Sequence, residues 1–371
     1  MQNLKTKLLT ISVIIPVRQD SDFKPALKAL SKIDYPSKLF EIIVVYGSLP
    51  SKQRNKAVLK AKGEILYFLD NDSEIEKRAF KRVVDIFLGK IKQVKISQTR
   101  GFSVFPDWLS KLIIKHFFSG KIYKGEIAVV GGPNVWWGKE TFWVSIAGAV
   151  MESFFIHTLM AARYRPIGDI HRVTEKELIL CNLAIRKDVF NKVGAFNENL
   201  YPNEENELLN RIHKAGYQLI YHPGVLVFRP HRASLKSLLG AFLHYGQGRM
   251  EQVRVEGLWQ SLPILVPLVF FLYLLVLPFY YQWWLLFPLL LYLIMAFGSA
   301  LGYFQRRGKF YLIFFLPMVF LINHLAYAVG CIYGLTTSLK QRRKRGNKIK
   351  IKVVKIKSFR EDWRSSDFKL Y

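Results

Sequence analysis

Cysteine is almost absent from this chain: Cys181 and Cys331 are the two in 371 residues. Two thiols cannot build a disulfide framework or a cysteine-rich metal cluster, so a reducing compartment suits the protein. Acidic residues are scarce as well. Asp and Glu number 27 against 55 Lys and Arg, giving a formal net charge of +28. That surplus calls for an anionic partner: nucleic acid, anionic lipid or a phosphate-rich substrate. The first apolar run is broken by Pro16 and lacks a cleavage site, so no signal peptide is read and the polar part is expected to stay in the cytoplasm. No solenoid-type repeat is found. Charge is missing altogether from Gly257 to Gln305.

What is present begins as alternating strands and helices. Thr10 to Pro16 reads as a buried strand, Pro25 to Leu30 as a helix with proline at its start, and Phe40 to Val45 as a second strand. Ser51 is expected to cap a helix running to about Lys62. The apolar run Gly63 to Leu69 follows as a third strand. This spacing predicts a doubly wound α/β sheet. The next helix is expected from about Glu74 to Leu88. Further strands are expected at Ile127 to Val130, Cys181 to Ile185, Tyr217 to Tyr221 and Val225 to Phe228. Helices are expected at Lys187 to Val193 and from Glu204 to near Gly216. The basic stretch Leu109 to Phe118 fits an amphipathic membrane-surface helix or an ordinary packed one. Phe142 to Ala162 is apolar but holds Glu152 and His157. It is read as a groove-lining or interfacial helix in which those two are satisfied polar groups.

The last third is built for lipid. Ser234 to about Met250 reads as an amphipathic helix. The uncharged stretch after it has room for two spans of ~20 residues, with Tyr280-Tyr281-Gln282-Trp283-Trp284 as an interfacial aromatic turn. Phe310 to Leu339 is a third apolar stretch. The tail from Lys340 to Lys357 has ten basic residues and no acid, and Lys348 to Val353 alternates with period two. It reads as a strand with a basic face or as a polybasic lipid patch. Two spans keep Arg306 to Lys309 on the cytoplasmic side, in line with the positive-inside rule, whereas a third places the basic tail outside. The side of the tail is therefore left open.

The chemistry centres on Asp70-Asn71-Asp72 at the end of the third strand. Ligand crevices of parallel α/β sheets lie off the carboxyl ends of the strands, and two carboxylates there suit a hard divalent cation bound to a diphosphate. The plain alternative is a strand-to-helix turn capped by Asp72 or Ser73.

Several short pieces in order carry a family resemblance: Ser12-Val13-Ile14-Ile15-Pro16, Gln53-Arg54-Asn55, Phe68-Leu69-Asp70-Asn71-Asp72, Gly132-Pro133-Asn134, Val193-Gly194-Ala195-Phe196, Glu204-Glu205-Asn206-Glu207, His222-Pro223, His231 and Tyr245 to Arg249. From about Ser12 to Met250 the chain resembles the membrane-anchored family 2 glycosyltransferases, inverting enzymes with the GT-A fold. The resemblance implies a Rossmann-like, mostly parallel sheet. It implies that Asp70 and Asp72 hold Mg²⁺ or Mn²⁺ on a nucleotide-sugar, with His231 completing the set or serving structurally. Pro16, Arg54, Asn55, Asp70 and Asn71 would bind the donor. Of the acidic pair Glu204-Glu205, Glu205 would act as base. Gln247 and Arg249 would lie near the diphosphate or a lipid phosphate. The chain departs from the family pattern where Tyr46 replaces a base-reading aspartate, and where the tryptophan of the family's Gln-x-x-Arg-Trp box is missing.

The organisation expected is a cytoplasmic GT-A domain over 1–233, an amphipathic interface helix over 234–256, a membrane region over 257–339 (about 262–281, 284–304 and 312–335) and a basic tail over 340–371. The expected activity is sugar transfer from a nucleotide-sugar to a membrane-embedded, polyprenyl-linked acceptor at the cytoplasmic membrane. Anionic lipids, not nucleic acid, are the partners of the basic surface. A synthase using polyprenyl phosphate as nucleophile, and a catalytically silent membrane scaffold, are the alternatives.

Overall fold

The structure is a computed structural model describing residues 8–19, 21–91, 95–96, 125–136, 138–200, 203–257, 265–280, 282–336, 350–359 and 361. The expectation for Leu109 to Phe118 lies outside the described residues, as does most of the tail.

The chain opens with β1 (Ile11–Val17), α1 (Lys24–Leu30), β2 (Phe40–Tyr46), α2 (Pro50–Val58) and β3 (Ile65–Leu69). β1 and β3 are buried throughout, as near-continuous β-branched and aromatic runs require of strands covered on both faces. Ser51 does not cap α2. Leu49 holds that position without a side-chain bond, and the Ser51 hydroxyl donates to the Leu200 carbonyl. After Asp72 the chain does not enter a helix at once. Glu74–Ile75 forms β4, which pairs with a later strand, and α3 spans only Ala79–Phe87. A long-range strand pairing outweighs the local helical pattern there.

There follow β5 (Lys95–Ile96), β6 (Ile127–Gly131), β7 (Asn134–Trp136) and α4 (Phe142–Glu152). The chain bends by 52° at Ser153 into the helical turns Phe154–Arg163. Then come β8 (His171–Val173), β9 (Asn182–Arg186), α5 (Lys187–Val193), α6 (Glu204–Lys214), β10 (Gln218–Tyr221) and β11 (Val227–Arg229). The last elements are α7 (Leu235–Glu256), α8 (Val266–Val276), α9 (Leu286–Arg307), α10 (Tyr311–Thr336) and β12 (Lys352–Lys357).

The large sheet has the order β12-β2-β1-β3-β9-β6-β10-β8-β5, and a small one the order β4-β11-β7. β1 is parallel to β2 and β3, and β10 to β6. β9 runs antiparallel between β3 and β6, β12 is antiparallel to β2, and β8 is antiparallel to β10 but parallel to β5. The sheet is thus mixed, not mostly parallel. β9 comes out of a loop rather than a crossover helix, and an antiparallel neighbour needs no crossover.

Among the described residues, two helices, Trp283–Arg307 and Tyr311–Thr336, are long and apolar enough to cross a membrane. The expected first span is represented by α8, whose 11 residues fall short of the ~20 a span needs. α7 lies close along α10. A Cβ on Gly246 would stand 2.0 Å from the Tyr327 carbonyl oxygen, and one on Gly330 2.1 Å from that of Leu243. Only a bare backbone permits that approach. The turn between α9 and α10 is fastened to α4 and the segment before it, with Arg307 3.1 Å from Glu152 and Lys309 2.5 Å from Glu140. The basic tail contributes an edge strand. β12 covers β2, and the buried Lys357 ammonium donates to the Ser37 and Phe40 carbonyls at 2.6 Å each.

Candidate functional site

Four loops meet off the carboxyl ends of β1, β3 and β11. β1 presents Pro16 and Val17, β3 delivers Asp70 to Asp72, and β11 ends in Arg229. α2 contributes Arg54 from its first turns. Asn203, in the left-handed region at φ 88°, turns the chain so that α6 starts with Glu204 and Glu205 at the same place. Asparagine is among the few residues that tolerate this conformation. These groups line one cavity of about 1380 Å³.

The charges form a continuous chain. Glu204 accepts from Arg54 at 3.0 Å, and Arg54 reaches Asp70 at 3.3 Å. Asp70 meets Arg229 at 2.8 Å, and Arg229 meets Asp72 at 2.9 Å. Burial opposes the charge on Arg229, yet Asp70 and Asp72 keep it firmly ionised. Burial, reinforced by the charge of Glu205, pushes the Glu204 carboxyl up to about 8, with Arg54 opposing. Glu205 is more open and lies 3.8 Å from Arg163. One acid of the pair therefore favours the protonated form near neutrality while its neighbour faces the cavity. Arg18, Arg163 and Arg249 also line it, so five arginines face four carboxylates. An anionic ligand suits such a wall.

The carboxylates do not fit a divalent cation as they stand. Both grip a guanidinium, and among the described residues no group of three or more His, Cys, Asp or Glu is placed to hold a metal. A cation there has to displace Arg229 or sit against its charge.

The same cavity continues between the apolar helices. Phe154 to Thr158, Val266, Phe270, Leu291, Tyr292, Met295 and Tyr327 line its far part. Phe270 and Tyr292 stack there with ring centroids 4.6 Å apart. Tyr245 and Arg249 of α7 line the cavity as well.

Of the residues singled out from sequence, Pro16, Arg54, Asp70, Asn71, Asp72, Glu204, Glu205 and Arg249 come together here. Asn55, Gln247 and His231 do not. Asn55 ties Phe196 and Glu198 to α2 by hydrogen bonds of 2.9 and 3.0 Å. Gln247 is buried in α7 and donates to Glu251 at 2.9 Å. His231 lies in a separate small cavity with Glu140, Tyr303 and Arg307, stacked on Trp136, so it is not a third ligand beside Asp70 and Asp72. Glu152 is a satisfied acid, held by Tyr303 and Arg307. Sequence reasoning missed Arg229 and Arg163. The signal for Arg229 was its place two residues before His231, at the end of a strand.

No family model matches the chain, and no curated protein matches it. Among solved structures, the chain is similar to the mannosyltransferase PcManGT from Pyrobaculum calidifontis in complex with GDP-Man and Mn²⁺, with 13% identity, 89% of this chain and 88% of that one covered, and a TM-score of 0.44. It is also similar to S. aureus TarS 1-349 in complex with UDP, with 13% identity, coverage of 87% and 91%, and a TM-score of 0.38. The TarS 1-349 complex with UDP-GlcNAc gives 13% identity, the same coverage and a TM-score of 0.37.

Proposed function

We propose that this chain is a membrane-bound, inverting glycosyltransferase of the GT-A type that moves a sugar from a nucleotide-sugar to a lipid-linked acceptor. One observation carries the reading. A single cavity joins the acidic pair and the arginine-carboxylate chain to an aromatic, apolar wall made by the C-terminal helices. A charged donor and a lipid-borne acceptor meet in such a space, whereas a soluble acceptor needs no apolar wall.

In this reading Glu205 is the base. It takes the proton of the acceptor hydroxyl while the acceptor oxygen bonds to the anomeric carbon and the nucleoside diphosphate departs with the electrons of the broken bond. Glu204, paired with Arg54, sets the position of the helix start. Arg54, Arg229 and Arg18 face the departing diphosphate, where guanidinium groups offer paired donors to phosphate oxygens. Asp70 and Asp72 hold Arg229 where the resemblance implies Mg²⁺ or Mn²⁺.

The second reading, a polyprenyl-phosphate glycosyl synthase, is favoured by Arg163 and Arg249. These line the same cavity and suit a lipid phosphate acceptor. Thermal stabilisation of the purified full-length protein by UDP- and GDP-sugars, followed by transfer of labelled sugar into a polyprenyl phosphate or polyprenyl-linked sugar fraction, tests both. A protein stabilised by none of these donors sinks the proposal.

A further inference from the structure

α10 has the length and apolarity of a membrane span, yet both of its ends are tied to the α/β domain. At its start, Arg307 and Lys309 pair with Glu152 and Glu140, and these four side chains share a small cavity with Trp136 of β7 and with His231. His231 is two residues beyond Arg229, which holds Asp70 and Asp72. Two residues reach at most ~7 Å. The turn before α10 therefore lies close to the donor-site carboxylates.

At the other end, residues 337–349 lead from Thr336 to β12, which pairs with β2 in the large sheet. Six of those thirteen residues are Lys or Arg. If α10 crossed the bilayer, this run would have to cross back, and a hydrocarbon core excludes a stretch of such charge. The partner of α10 agrees. It packs along α7, which buries Gln247, Arg249, Glu251 and Gln252.

We infer that α10 enters and leaves the membrane on the domain's own face, lying in the near leaflet instead of spanning. Its outward side chains Phe314, Phe315, Met318, Ile332 and Tyr333 are exposed and meet acyl chains. The sequence that follows carries the Lys and Arg that suit anionic headgroups. α9 ends at that face too, so any crossings between Gly257 and Arg307 come in an even number. The inference rests on the membrane association proposed above and puts β12 on the same side as the domain whose sheet it joins.

The test uses the full chain in sealed membrane vesicles of known orientation. Single cysteines replace the exposed Leu59, Phe310 and Thr336 in a Cys181→Ala, Cys331→Ala background and are probed with a membrane-impermeant maleimide. All three are expected to label from one face and none from the other. Labelling of positions 310 and 336 from opposite faces overturns the inference. Trypsin added to vesicles of the unaltered chain gives a check without substitutions. Cleavage within 337–349 is expected only from the face that exposes the domain, and cleavage from the other face overturns it. A chain that washes off the membrane at high salt and alkaline pH overturns the membrane reading itself, a result distinct from either pattern of labelling.

Discussion

Arg229 grips both carboxylates of the aspartate pair, lying 2.8 Å from Asp70 and 2.9 Å from Asp72. The cationic position beside the pair is thus filled by the protein itself. Removing that charge changes what the pair can bind. Arg229→Met is expected to raise Mn²⁺ affinity by about tenfold or more, since a unit charge at contact distance is worth ~3–4 kcal/mol near a protein surface. The same variant loses ~1–3 kcal/mol of stability through Asp72, which loses its partner, while Asp70 keeps Arg54. Titration with Mn²⁺ followed by electron paramagnetic resonance measures the first effect. Unchanged affinity would show that the guanidinium does not compete.

Glu205 and Glu204 should separate in function. Glu205→Gln keeps the shape and removes the base, so transfer to a hydroxyl acceptor should fall about 10²–10⁴-fold. Transfer to a lipid phosphate, already anionic, should barely change. Glu204→Gln mimics the protonated form favoured by burial and should retain most activity. Equal losses in the two variants with a hydroxyl acceptor would remove the distinction.

Stability should depend on pH in two opposite ways. Burial and the nearby Arg82 lower His222 to about 4, while its unfolded form titrates near 6.5. Its folded pKa lies below the unfolded one, so its contribution is complete above pH 6.5 and is lost as the pH falls toward 4, by at most about 3 kcal/mol. Glu204 goes the other way. Its folded pKa of about 8 exceeds the model-peptide value of 4.5, so its contribution is complete below 4.5 and fades as the pH rises toward 8. Melting temperatures across this window should show a flatter acid arm in His222→Asn and a flatter alkaline arm in Glu204→Gln. Two variants with profiles parallel to the parent would refute the assignment.

The seam between α7 and α10 is a steric test. Gly246→Val and Gly330→Val each drive a Cβ into a carbonyl oxygen at about 2 Å. Each should cost ~3 kcal/mol or more and abolish function through misfolding of the helical part. Gly240→Ala on α7 meets nothing within 4 Å and should be neutral or stabilising by ~0.5–1 kcal/mol. Thermal melts in detergent distinguish the three. A well-folded Gly330→Val protein would mean the helices do not lie this close.

The early strands were legible because burial on both faces leaves an unbroken apolar run, as in Ile11–Val17 and Ile65–Leu69. Asp70, Asp72 and Glu204 were legible because they end one strand and start one helix, positions that local patterns mark. Arg229 and Arg163 were not. An arginine reads as a solvated charge until the fold shows what it faces. β4 was hidden for a related reason: Glu74–Ile75 has no strand pattern of its own and exists through its pairing with Val227 and Phe228. The alternation in Lys348 to Val353 left a strand and a lipid patch open, whereas the strand is Lys352–Lys357, and nothing local says that its partner is β2, some three hundred residues earlier.

That last pairing orders the making of the protein. β2 leaves the ribosome early, but the strand that covers its outer edge is synthesised only after the apolar helices α8, α9 and α10. An uncovered edge is a template for wrong pairing. The nascent domain must therefore wait with one flank bare while its lipid-seeking helices find their place, and a chain that stops short of Lys357 never closes that flank.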